Sequence, residues 1–309
     1  TDRDRHQSYK ISLSAADQEM SDGEVTTLAG SGSGGSTNAT GTAARFNYPR
    51  GITSDGTNLY VADRNNHAIR KIVISTGAVS LLAGYTGSRS STNGTGTAAR
   101  FNYPRGITTD GTNLYVADTS NHMIRKIVIS TGAVTTLAGS TSSGSTNATG
   151  TSARFKNPRG LTTDGTNLYV ADADNHRIRK VVISTGAVTT LVGSTQGFQD
   201  GTGTSAKFNY PREITTDGTN LYVADAYNHR IRKIVIETGV VTTLAGSSSG
   251  STDAPGTSAS FNLPMGIVVE GANLYVTDYS NHKIRKIDLS KTETADVALR
   301  NIDDDFPTN

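Results

Sequence analysis

Short apolar runs of about five residues alternate with turn-forming clusters along most of the chain. One period reads from Arg50 to Gly84. Gly51–Asp55 is a short extended run, and Asp55-Gly56-Thr57-Asn58 is a hairpin turn, because Asp-Gly supplies the positive-φ positions such turns need. Leu59–Ala62 is a second β-rich run and Ile69–Ile74 a third, separated by Asp63–His67. Ser75-Thr76-Gly77 turns the chain again before Val79–Ala83. The pattern predicts four strands, and no helix-length amphipathic stretch interrupts it.

The period then repeats. Asn-Leu-Tyr-Val-Ala-Asp starts at Asn58, Asn113, Asn167 and Asn220, and Asn-Leu-Tyr-Val-Thr-Asp at Asn273, in steps of 55, 54, 53 and 53 residues. Val-Thr-Thr-Leu-Ala-Gly or a close variant starts at Val25, Val79, Val134, Val188 and Val241. Four antiparallel strands repeated radially are the blade plan of a β-propeller. Ile69, Ile72, Val73 and Ile74 put apolar side chains on both faces of one strand, as expected when sheets pack face to face against neighbouring blades. A Gly/Ser/Thr-rich linker such as Gly30–Arg50 joins successive periods. Each linker ends near a phenylalanine (Phe46, Phe101, Phe155, Phe208, Phe261), expected to wedge between blades.

The string Asn-His-x-Ile-Arg-Lys after Tyr-Val-Ala-Asp, with Pro-Arg-Gly-Ile upstream, resembles the NHL-repeat family, and five tandem copies extend the resemblance over almost the whole chain. The resemblance implies an all-β propeller of four-stranded antiparallel blades, commonly six. It also implies a binding platform for proteins, RNA or cell-surface ligands. A minority relative of the peptidyl-hydroxyglycine lyase type is a metal enzyme.

The ends bear on the number of blades. Thr1–Ser14 lines up with Thr277–Ser290, placing His6 opposite His282, and Val25–Gly30 follows as a fourth-strand sequence. The chain therefore reads as a single propeller over 1–309, with a partial blade in 1–30, five tandem repeats in 31–290 and a closing strand and tail in 291–309. The spare third strand favours six blades. The alternative is five, closed by Val25–Ala29 as the outer strand of the last. Thr294–Arg300 is expected to supply the fourth strand of the fifth repeat.

Composition narrows the function. Lys+Arg 29 against Asp+Glu 27 leaves a net charge of +2, with no basic block to track a phosphate backbone, so an RNA-binding platform is an alternative reading only. No run approaches the roughly 18 apolar residues of a membrane span. The absence of cysteine excludes disulfides, thiolate catalysis and Cys-zinc sites. The Ser/Thr/Gly/Asn-rich surface leans towards a secreted, periplasmic or cell-surface location, with which the absence of cysteine is compatible.

Strand alternation puts the two short turns of each repeat on one face of the ring. The linkers and Asp-x-x-Asn-His loops fall on the other, which is the better recognition surface. Three sets of polar or exposed residues stand out. Asp63/His67, Asp118/His122, Asp172/His176, Asp225/His229 and Asp278/His282 recur in every repeat, so they are expected to make a blade-level hydrogen bond rather than a catalytic or metal pair. Arg50, Arg105, Arg159 and Arg212 each follow a proline at the start of an innermost strand, where Met265 stands in the fifth repeat. They could encircle the channel mouth and bind an anion or acidic peptide, because the guanidinium fork suits carboxylates and phosphates. Glu213 replaces the glycine of the other repeats and breaks the symmetry there. Tyr227, Tyr279 and Phe198 are candidate loop-face contacts for a protein or glycan. Asp200-Gly-Thr-Gly resembles part of a calcium loop without its Asp-x-Asp spacing or distal glutamate. These readings favour a non-catalytic binding or structural propeller with no cofactor and no metal. The alternative enzyme would be a lyase or lactonase with a metal in the channel.

Overall fold

The computed structural model describes residues 26–290. Its strands form five antiparallel sheets. The first blade is Pro49–Ser54, Asn58–Asp63, Ala68–Val73 and Ala78–Gly84, paired in chain order. The second, third and fourth blades repeat it from Pro104, Pro158 and Pro211. The fifth has three strands among the described residues: Pro264–Glu270, Asn273–Asp278 and Lys283–Asp288.

Local chemistry explains the fidelity of the repeat. Asp55 closes the first hairpin by accepting the backbone N–H groups of Thr57 (2.9 Å) and Asn58 (2.6 Å) on Oδ1, and the Tyr60 hydroxyl (2.7 Å) on Oδ2. Asp110/Tyr115, Asp164/Tyr169 and Asp217/Tyr222 do the same in the next three blades. These bonds hold the Asp55 carboxyl down at about 2, although its partial burial pushes the other way.

Each third strand buries an arginine. Arg70 donates to Asp63 (2.9 Å), to the carbonyls of Arg45 and Thr37 (both 3.0 Å) and to Asn38 Oδ1 (2.7 Å). One side chain thus ties the linker to the strand and to the loop below it. Asp63 also accepts the Asn47 N–H and the Asn66 amide, both at 2.7 Å. Arg125, Arg179, Arg232 and Arg285 repeat the pair with Asp118, Asp172, Asp225 and Asp278.

The blades pack face to face, and the core lies between them. Phe101 is buried in one cluster with Tyr60, Ala62 and Ile69 of the first blade and Leu114 and Val116 of its own, so the linker phenylalanine is the expected wedge. Phe155, Phe208 and Phe261 occupy the next three junctions. Towards the channel the innermost strands approach so closely that a Cβ at Gly51, Gly106 or Gly160 would collide with the carbonyl of Arg105, Arg159 or Arg212. Only glycine fits there.

The blade count departs from the favoured expectation. The described residues form five blades, not six. A third-strand and a fourth-strand sequence make a blade only if a first and second strand pair with them, and no such pair precedes Pro49 among the described residues. The fourth-strand sequence Thr26–Gly30 forms no strand. Closure of the fifth blade by Val25–Ala29 is not seen either, because Lys283–Asp288 pairs only with Asn273–Asp278 among the described residues. The expected roles of Thr1–Ser14 and Thr294–Arg300 lie outside the described residues.

The fifth and first blades do not repeat the close packing of the other junctions. Ile52 is 58% exposed, whereas its counterparts Ile107, Leu161 and Ile214 are buried. Across from it, Val268, Tyr275 and Ile284 of the fifth blade are also exposed.

Candidate ligand site at the channel mouth

The four post-proline arginines converge as the sequence suggested. Proline fixes the entry to each innermost strand, so the next residue meets the channel at one height in every blade. Arg50, Arg105, Arg159 and Arg212 line a cavity of about 340 Å³ with Glu213, Met265, Gly266, Thr277 and Tyr279. It opens on the long-loop side, where the linkers enter the innermost strands.

The electrostatics of this cavity are one-sided. None of the four arginines makes an ion pair among the described residues, and Nε of Arg105, Arg159 and Arg212 has no hydrogen-bond acceptor. Burial, followed by the neighbouring guanidinium groups, lowers Arg105 to about 9 and Arg159 to about 10. Glu213 takes the place of glycine in the fourth blade, and its carboxylate lies against Gly160. Burial raises it to about 7, against the pull of Arg105 and Arg159. The site is therefore a cluster of incompletely paired donors facing one weakly acidic carboxyl, a setting that favours an incoming anion.

Tyr279 lines the same cavity and is exposed. Tyr227, in the corresponding loop of the fourth blade, does not line the cavity but lies next to Arg212 at its edge. Its ring lies 5.2 Å from that of Tyr210, and the Arg212 guanidinium lies 5.7 Å from its centroid. Phe198 is apart from this group. The Arg230 guanidinium covers its ring at 3.8 Å and Arg232 lies at 5.1 Å, so the ring is engaged in intramolecular contact while the residue stays 47% exposed. Arg64 stands in the loop pair that varies between repeats, as do Tyr227 and Tyr279. Its guanidinium sits 4.7 Å over the Tyr103 ring, and its charge helps to depress Arg105. Its signal was present as the charged member of a loop position that varies between repeats.

The recurrent Asp and His residues do make blade-level hydrogen bonds, but not with each other. The aspartates hold their own blade together, as above. Four of the five histidines reach the next blade among the described residues: His67 Nδ1 accepts the Tyr103 N–H (3.1 Å), His122 that of Asn157 (3.1 Å), His176 that of Tyr210 (3.2 Å) and His229 that of Leu263 (3.2 Å). Asp200, in the calcium-like string, is engaged by Arg232 and by Thr243. Among the described residues no group of three or more His, Cys, Asp or Glu could hold a metal ion. No helix among them is long and apolar enough to cross a membrane.

Radial antiparallel blades around a channel, with the varied loops on one face, define a β-propeller. Residues 46–72 match the NHL-repeat family model. The chain is 31% identical to human NHL repeat-containing protein 2 over 284 residues, covering 79% of this chain and 39% of that protein. The chain therefore spans well under half of that relative's length. Among solved structures, a chain from a nidogen/laminin complex superposes with a TM-score of 0.57 at 19% identity, covering 79% of this chain and 77% of that one. Streptogramin B lyase superposes with a TM-score of 0.50 at 15% identity, covering 78% and 68%. This chain belongs to the NHL-repeat family of β-propellers. The two superpositions show a shared fold alone.

Proposed function

We propose that this propeller is a non-catalytic binding module that recognises a partner protein through its long-loop face. An acidic group of the partner would sit between Arg105, Arg159 and Arg212. The observation that carries this reading is the set of arginines sharing one cavity with no ion pair of their own among the described residues. Burying like charges together costs stability, and an arriving carboxylate relieves that cost. The exposed Tyr227 and Tyr279 rings beside the cavity add contact area of the kind that anchors protein interfaces. The same proposal puts the module outside the cytosol, as a secreted, periplasmic or cell-surface protein. The Ser/Thr/Gly/Asn-rich loops support that placement.

Calorimetry with a hexaglutamate peptide, a hexaglutamine peptide and a uronic-acid oligosaccharide tests the ligand class. Hexaglutamate should bind, more weakly at higher salt, and hexaglutamine should not. Preference for the oligosaccharide would transfer the site to glycans. Binding of none of the three would sink the reading. Fractionation of the source cells tests the location, and recovery in the cytosol would remove that part.

A further inference from the structure

The junction between the fifth and first blades consists of two halves of a blade interface held apart. At the junctions after the first three blades, an aromatic and an isoleucine of one blade are buried with an aliphatic side chain of the next. Tyr60 and Ile69 meet Ile107, Tyr115 and Ile124 meet Leu161, and Tyr169 and Ile178 meet Ile214. By register, Tyr275 and Ile284 hold the first two positions in the fifth blade, and Ile52 holds the facing one in the first. All three are exposed, Ile284 by 71%. The glycines of the innermost strands record the same separation. A Cβ at Gly51, Gly106 or Gly160 would meet the backbone of the next innermost strand, whereas the three atoms nearest to one at Gly266 all belong to Thr277 of its own blade.

The fifth blade departs from the repeat along this gap. Its innermost strand carries Met265 where the others carry arginine, and Val268 where they carry Thr53, Thr108, Thr162 and Thr215. Val268 pairs directly with Tyr275, so both side chains stand on the side that faces the gap. The wall is thus more apolar where it is left open. The gap forms a cavity of about 550 Å³ whose apolar lining includes Ile52, Ile214, Val268, Tyr275 and Ile284. That volume falls within the roughly 300–1,000 Å³ of ligand sites. Arg50, Glu213, Gly266 and Thr277 line both this cavity and the arginine cavity. One end of the apolar gap therefore opens onto guanidinium groups that have no ion pair among the described residues.

We infer that the partner segment bound at the channel mouth is amphipathic. Next to the carboxylate held by the arginines it presents a large aliphatic side chain, which inserts between Ile52 of the first blade and Val268, Tyr275 and Ile284 of the fifth. The inference rests on the anion site proposed above and names what lies beside the anion. Charge complementarity sets the direction of the segment: its acidic end meets Arg105, Arg159 and Arg212, and its apolar end fills the gap. A wholly acidic segment would leave the two apolar walls in water, and a wholly apolar one would leave the guanidinium groups without a counter-charge. Only a segment with both satisfies two cavities that share four residues.

Two peptides of equal charge, Glu-Glu-Glu-Leu-Leu-Leu and Glu-Glu-Glu-Ser-Ser-Ser, test this by calorimetry on the full chain. The leucine peptide should bind about tenfold more tightly, the size expected for burying much of one leucine side chain. Ile52→Ser and Ile284→Ser should each remove most of that advantage. Neither should change the affinity for the serine peptide, which reports an intact fold and arginine site in each variant. Equal binding of the two peptides would overturn the inference and leave the anion site standing. Binding of neither would remove the anion site and the inference with it. An advantage that survives both substitutions would put the leucines elsewhere and overturn it too. Sedimentation velocity on the free chain should show a monomer. A dimer dispersed by Ile284→Ser would give the gap to a second copy of the chain and overturn the inference.

Discussion

His67 in the first blade accepts the backbone N–H of Tyr103 in the second at 3.1 Å, and the two rings meet edge to face at 4.6 Å. The contact satisfies a residue whose left-handed backbone would otherwise leave its N–H without a strand partner. Three further copies join the remaining blades in order.

This bond predicts acid sensitivity. Nδ1 accepts only in the neutral imidazole, and burial lowers the folded-state pKa of His67, His122, His176 and His229 below the usual 6.5. A depressed histidine contributes stability that is present above its unfolded value and is lost as pH falls through its folded value. Thermal melts should therefore show a Tm that declines as pH drops below about 6.5. His122→Ala should cost about 1 kcal/mol at pH 8 and much less at pH 5. An equal loss at both pH values would contradict the role given to Nδ1.

The close approach of innermost strands sets a second test. Gly106→Ala puts a methyl group into the Arg159 carbonyl, with a Leu161 methyl also in the way. Denaturant unfolding should show a loss of about 1–3 kcal/mol. Gly165→Ala, in an open turn at φ 87°, carries backbone strain without a collision and separates the two effects.

Arg125 and Asp118 form a fully buried ion pair at 2.9 Å. Removing one partner strands the other charge. Arg125→Ala is expected to cost about 3–5 kcal/mol in the same unfolding measurement, more than any loop substitution at Ser120.

Glu213 governs the pH response of the channel mouth. It titrates at about 7, and its carboxylate competes with an incoming anion. Lowering the pH from 8 to 6 protonates it, so hexaglutamate should bind several-fold more tightly at pH 6, by about three- to tenfold. Glu213→Gln should bind at the tighter level at both pH values. A wild-type affinity that does not change between pH 8 and 6 would remove Glu213 from the site.

Much of this was legible in the chain because repetition multiplies weak signals. The Asp-Gly turns, the Phe wedges and the post-proline arginines each recur at fixed offsets, and the structure places them at equivalent points. Three things were not legible, for a physical reason each. The sequence shows that His67 recurs but not whether its partner lies in its own blade or the next, since both choices repeat with the same period. Val25–Gly30 has fourth-strand residues, yet a strand needs a neighbour to pair with, and composition does not say whether one is there. Phe198 reads as a free aromatic because the Arg230 that covers it lies on a different element.

The most direct test of the binding site watches the arginine side chains themselves. Hexaglutamate titrated into labelled protein should shift the Nε–Hε resonances of Arg105, Arg159 and Arg212 together, along one binding curve, while the buried Arg125 and Arg179 stay fixed. Saturable binding that moves none of the three channel arginines would contradict the site.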